Sequence, residues 1–129
     1  MRVFKNAWFG RFARKQCISD EALLDAVGRI ERGLIDADLG GGVIKQRVAR
    51  PGHGKSGGFR TIVLYRAAER AFFVYGFAKS GRDNIDDDEE AAFRKAAAFV
   101  LGLSDADLSE LIGRKQFSEV HGHGEEIPK

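Results

Sequence analysis

Six cations stand between Leu39 and Ala68 with no Asp or Glu among them: Lys45, Arg47, Arg50, Lys55, Arg60 and Arg66. That block carries +6 in a chain whose net charge is +2, so the remaining 99 residues together carry −4. The first fifteen residues add Arg2, Lys5, Arg11, Arg14 and Lys15, again without an acid. Charge segregated on this scale points to an anionic partner, nucleic acid first of all. Arginine stays protonated and meets phosphate oxygens with a fork of donors, so it suits both holding a phosphate and stabilising charge that develops on it. A lysine crowded by other cations gives up its proton more readily, which makes Lys45 and Lys55 candidate bases. His53 starts nearer neutrality and is a third.

Other chemistries find no footing. Gly54-Lys55-Ser56 resembles the end of a Walker A loop, but the first glycine of that motif would fall at Ala49. The segment also runs from strand to strand and opens no helix, so the stacked amides and the dipole of a phosphate cradle are missing. His121 and His123 lie in a glycine-containing tail without further ligands, and no metal or cofactor is expected. No G-x-S-x-G elbow occurs, and no histidine pairs with the single Cys17, which is expected to serve helix packing.

These residues must be positioned by one domain, since 129 residues suffice for a single core. The order of elements reads β-α-α-β-β-β-α-α. Arg2 to Lys5 forms a short strand, and Trp8, Phe9 and Phe12 give a helix over Ala7 to Gln16 an aromatic inner face. A second helix starts at Ser19 and buries Leu23, Leu24, Val27, Ile30 and Leu34. After the break at Gly40-Gly41-Gly42, strands over Val43 to Arg50, Phe59 to Arg66 and Ala71 to Phe77 form an antiparallel meander. Asp86 and Glu89 make a capping box for a helix whose acidic first turn serves its dipole, and Ser104 caps a last short helix. The expected class is α+β, a small twisted antiparallel sheet of about four strands with helices packed on it, over residues 1–116. Residues 117–129 are expected to be a frayed tail.

Alternation along Val43 to Arg50 puts Lys45 and Arg47 on one face and Ile44 and Val48 on the other. On the following strand Arg60 and Ile62 share a face, and only the register decides whether Arg60 joins the basic row. The apolar runs are strand-sized, far short of a bilayer span, and no secretory leader is apparent, so a cytoplasmic protein without membrane association is expected.

The stretch from Lys45-Gln46-Arg47 through Pro51-Gly52-His53-Gly54-Lys55-Ser56 to Gly58-Phe59-Arg60-Thr61, followed by Tyr75-Gly76-Phe77-Ala78-Lys79, resembles the RelE/HigB branch of bacterial type II toxin–antitoxin toxins. The resemblance extends over about Arg2 to Leu103. It implies a twisted sheet with helices on one side and a metal-independent endoribonuclease that cuts messenger RNA, commonly on the ribosome, by attack of a ribose 2′-hydroxyl on its own 3′ phosphate. It also implies a cognate antitoxin, expected to be a helix-turn-helix protein, with DNA contacted only through that partner. Carried over residue by residue, the central-strand cations match Lys45 and Arg47, and the arginine of the Gly-aromatic-Arg turn matches Arg60. Gly57-Gly58 before it would let the backbone approach a ligand closely. The arginine and tyrosine that family members show after the last strand are replaced by Ser80 and Asp86. Lys79, Arg82 and Lys55 are the cations that could substitute. The catalytic set is therefore Lys45, Arg47, Lys55, Arg60 and Lys79, with Arg50, His53, Arg66 and Arg82 binding RNA. Two other readings are a ParE-like toxin of the same fold that acts on a protein such as gyrase and cuts nothing, and an RNA-binding module without chemistry in which Phe59, Phe73 and Tyr75 stack on bases.

Overall fold

The computed structural model describes residues 1–50 and 57–122. The chain runs β1 (Arg2–Asn6), α1 (Ala7–Gln16), α2 (Asp20–Glu31), β2 (Ala37–Gly40), β3 (Val43–Val48), β4 (Phe59–Arg66), β5 (Arg70–Ala78), α3 (Asp87–Val100), α4 (Asp105–Gly113) and β6 (Phe117–Glu119). Helix starts fall where short polar side chains can bond the free amides of a first turn. Asn6 accepts from Phe9 N, Ser19 from Ala22 N, and Ser104 from Asp107 N. Asp86 and Glu89 form the full reciprocal capping box. Helix α2 ends at Glu31, so Leu34 lies beyond the buried stripe and is exposed. Cys17 is exposed and caps α1 in the left-handed region at φ 57°, instead of packing within a helix.

The sheet has six strands in the order β2-β3-β4-β5-β1-β6, antiparallel except for the β1–β5 pair. Two strands exceed the sequence expectation. β2 pairs with β3 across the Gly40-Gly41-Gly42 turn, where all three residues have positive φ. β6 falls in the segment expected to fray; it pairs with β1, Val120 N donates to Val3 O at 2.7 Å, and Phe117 packs edge-on against Phe72.

Helices cover both faces of the sheet, not one. On the first face α1 and α2 bury Phe9, Ala13, Leu23, Val27 and Ile30 against Ile44, Val48, Phe59, Val63 and Phe73. On the second, α3 and α4 bury Ala97, Val100 and Leu108 against Phe4, Val43, Ile62, Leu64 and Phe72. Each of the larger of these side chains, Val, Leu, Ile and Phe, contributes roughly 1.5–3 kcal/mol through removal from water. Gly76 lets α1 lie close, since a Cβ there would stand 2.7 Å from the Phe12 ring.

A bulge in β5 divides it in two. Ile62 pairs with Tyr75 and Val63 with Phe73, leaving Val74 as an extra residue. Because side chains alternate, one extra residue reverses the faces of everything beyond it. Phe73 therefore joins the α1/α2 core, while Tyr75 and Phe77 emerge on the other face.

Candidate nucleic-acid interface

The register left open by the sequence is resolved by β3 and β4: Arg47 lies opposite Arg60, and Lys45 opposite Ile62. On β5, Phe77 follows Arg60 and Tyr75 follows Ile62. Two rows therefore cross three strands on the second face, Lys45–Ile62–Tyr75 and Arg47–Arg60–Phe77. Arg60 joins the basic row.

Arg47 is held at its backbone by side chains from outside the sheet. Its N–H donates to Asp36 Oδ2, and its carbonyl accepts from Arg29 Nη2 at 2.6 Å. Next to it the fully buried Gln46 ties three segments together: its Oε1 accepts from Asp36 N at 3.0 Å, and its Nε2 donates to Leu34 O at 3.0 Å and Ala26 O at 3.3 Å. The guanidinium groups have no such support. Arg47 Nε and Arg60 Nη1 are buried without a hydrogen-bond partner. A donor out of water with nothing to bond costs free energy, and here two of them sit on like charges facing each other across the ladder.

The loop after β5 folds beside this grid. Lys45 Nζ donates to Asn84 Oδ1 at 3.2 Å. Arg82 donates from Nε to Asn84 O at 2.8 Å, from Nη1 to the Tyr75 hydroxyl at 2.9 Å, and from Nη2 to Glu89, while its guanidinium lies 5.7 Å from the Phe77 ring centre. The hydrogen bond to Glu89 raises Arg82 above the usual arginine value. In return Arg82, and then the Asp86 amide, hold the Glu89 carboxyl below the usual range. Arg82 is thus a charge already matched by an acid, and it orients Tyr75.

The remaining sequence-derived residues separate. Lys79 is exposed and follows directly on Ala78, at the Arg60 end of β5. Arg50 lays its guanidinium 5.5 Å from the ring centre of Phe59, a residue of the α1/α2 core, so it belongs to the other side of the sheet. Arg66 is six residues along β4 from Arg60, about 20 Å away. It bonds Leu101 O and Glu69, so its role here is to tie the end of α3 to the sheet. Lys55 and His53 lie outside the described residues. The tightness at Gly58 faces the protein rather than a ligand, since a Cβ there would stand 2.6 Å from Val48 O.

Tyr75, Asn84 and Glu89 beside the cations, and Asp36 and Arg29 that hold the Arg47 backbone, are residues for which the sequence alone gives no place at this site. The capping box marked Glu89 as a helix start only, and the β5 bulge that turns Tyr75 to this face has no signal in the alternation of β5. Among the described residues no group of three or more His, Cys, Asp or Glu is arranged to hold a metal ion, and no helix is long and apolar enough to cross a membrane. A cavity of about 630 Å³ lies between α1, the end of α4 and β6, and one of about 440 Å³ between the start of α1 and α3. The cation grid itself is half-buried, with Lys45, Arg47, Arg60 and Tyr75 partly accessible over the buried Ile62 and Phe77.

A search of curated proteins finds no match to the chain. The family model described as the RelE toxin of the RelE/RelB toxin–antitoxin system matches residues 1–120, from before β1 to the buried Val120 that follows β6, and the chain therefore belongs to the RelE toxin family.

Proposed function

We propose that the protein is a toxin that cleaves messenger RNA without a metal, acts on the ribosome-bound message, and is held inactive by a cognate antitoxin. The observation that carries this reading is the pairing of Arg47 with Arg60, whose buried Nε and Nη1 atoms lack partners beside Lys45. A phosphate between them would satisfy both donors and separate the two positive charges. In the reaction the ribose O2′ attacks the adjacent phosphorus, the P–O2′ bond forms and the P–O5′ bond breaks. The products are a 2′,3′-cyclic phosphate and a 5′-hydroxyl. Arg47 and Arg60 stabilise the charge that builds on the phosphorane. Lys45, Lys55, His53 and Lys79 are the candidates for taking the 2′-hydroxyl proton. The Tyr75 hydroxyl accepts from Arg82, so its own proton is free to be donated to a phosphate or leaving oxygen.

The test is cleavage of messenger RNA on programmed ribosomes at saturating protein, with equilibrium binding measured in parallel. Arg60→Ala is expected to lower single-turnover cleavage by roughly 10²–10³-fold with a much smaller loss of binding, and Arg60→Lys to recover only part. Arg66→Ala should leave cleavage nearly intact. Equal losses of binding and cleavage in Arg60→Ala would remove it from the chemistry.

A further inference from the structure

Trp8 does not join the inner face of α1 with Phe9. It is 38% exposed, whereas Phe9 is fully buried. The pairing of β1 with β5 ends at Phe73, so Tyr75 to Ala78 have no strand neighbour on that side. Helix α1 wraps this open edge: the Trp8 ring stacks on Phe12 at 5.2 Å and lies tilted against Tyr75 at 4.7 Å. Tyr75 is the residue that Arg82 orients beside the cation grid. Arg60 lies one strand across and two residues along from Tyr75, about 8 Å by strand geometry. An aromatic step therefore leads from the scissile-phosphate position around the edge of the sheet onto α1.

Trp8, Arg11, Phe12 and Lys15 follow at spacings of three, four and seven, one stripe of a helix. Together with Gln16 they line a shallow groove. Of the five cations in the first fifteen residues, Arg2 pairs with Glu119 and Lys5 with Asp20. Arg11, Arg14 and Lys15 are exposed and have no ion pair among the described residues, and Arg11 and Lys15 are the two that share the Trp8 stripe. Lys15 also suits the last turn of α1, where the helix dipole favours a cation; Arg11, in mid-helix, has no such reason. An exposed indole flanked by two free cations is the combination that holds single-stranded nucleic acid, a ring for a base and charges for the phosphates around it.

We infer that the outer stripe of α1, Trp8 with Arg11 and Lys15, is a second RNA subsite that holds nucleotides a few positions from the cleaved phosphate, with Trp8 stacking on a base. This rests on the RNA-cleaving reading and adds to it where the strand leaves the sheet. The subsite fixes register on the message and adds affinity; it does no chemistry.

Trp8 is the single tryptophan of the chain, so its emission reports the subsite directly and independently of cleavage. The probe is a short 2′-O-methyl oligoribonucleotide, which has no free 2′-hydroxyl and stays intact. Saturable quenching of Trp8 emission is expected. Arg11→Gln/Lys15→Gln, which touches only exposed side chains, should weaken binding and flatten the salt dependence by about 1.4 in log–log slope, roughly 0.7 for each lost phosphate contact. By anisotropy of a labelled oligonucleotide, Trp8→Phe should keep most of the affinity and Trp8→Ala lose about 5- to 150-fold. Binding of the oligonucleotide without any change in Trp8 emission overturns the subsite alone. So does an unaltered affinity in the Arg11/Lys15 variant, or quenching reproduced by polyglutamate, which would mark an acidic protein surface as the occupant. No RNA binding at all, with or without ribosomes, overturns the RNA-cleaving reading and the subsite with it.

Discussion

Arg47 and Arg60 are directly opposed like charges on neighbouring strands, an arrangement that weakens a sheet by a few tenths to about 1 kcal/mol. Their unpartnered donors add to that cost. Arg60→Met keeps the apolar stem and removes the charge, so it should leave stability unchanged or raise it by about 0.5–2 kcal/mol in urea unfolding while cleavage falls to background. A marked loss of stability would mean that the cation serves the fold. Glu89 gives the opposite case, an acid that is held ionised. Its carboxyl sits below its ordinary value of 4.5 because Arg82 and the Asp86 amide bond the charged form. The stabilisation from Glu89 is therefore fully present above about pH 4.5 and is lost as pH falls through the lowered folded-state value. Glu89→Gln can keep the capping-box bond but not the ion pair. Its stability deficit relative to the parent should be constant at neutral pH and shrink as unfolding is followed below pH 4.5; a deficit unchanged down to pH 3 would separate Arg82 from Glu89.

Among the elements, β5 decides most. Its bulge at Val74 turns Tyr75 and Phe77 toward the cations and leaves Gly76 beneath α1. Gly76→Ala places a methyl 2.7 Å from the Phe12 ring and 3.2 Å from that of Phe9. Both rings belong to one rigid helix face, so α1 must move as a unit, and overpacking of this kind costs about 1–3 kcal/mol. Thermal unfolding should show the loss, and Trp8 emission should shift because its contact with Tyr75 moves too. An unshifted spectrum with parental stability would show that α1 can slide on the sheet. Gln46 has an analogous role at the other margin, where it joins β3 to α2 and to the segment before β2.

For the molecule as a whole, charge distribution separates the RNA-cleaving reading from a ParE-like toxin acting on a protein. Lys45, Arg47 and Arg60 on the grid and Arg11 and Lys15 on α1 would give about five phosphate contacts to a single strand. The logarithm of the association constant should then fall with a slope of about −3.5 against the logarithm of salt concentration. Binding that is flat in salt would favour a protein target. Induced expression should arrest growth, and co-expression of a cognate antitoxin should restore it; normal growth with abundant folded protein would sink the toxin reading.

Local interactions made much of this protein legible in its sequence. A helix start involves residues three apart, so Asn6, Ser19, Asp86 and Ser104 need no tertiary context to act as caps, and the sequence pattern marks the last three. The meander and the shared face of Lys45 and Arg47 follow from alternation in the same way. What the sequence left open depends on partners distant along the chain. The opposition of Arg47 and Arg60 is a matter of register. β2 and β6 are short strands that exist because β3 and β1 offer unpaired edges. The orientation of Tyr75 depends on one extra residue in a ladder, and the exposure of Trp8 on where β1 stops. Period and composition fix which face a side chain takes relative to its neighbours in the chain; only the packed sheet decides which of those faces meet, and so which charges share one phosphate.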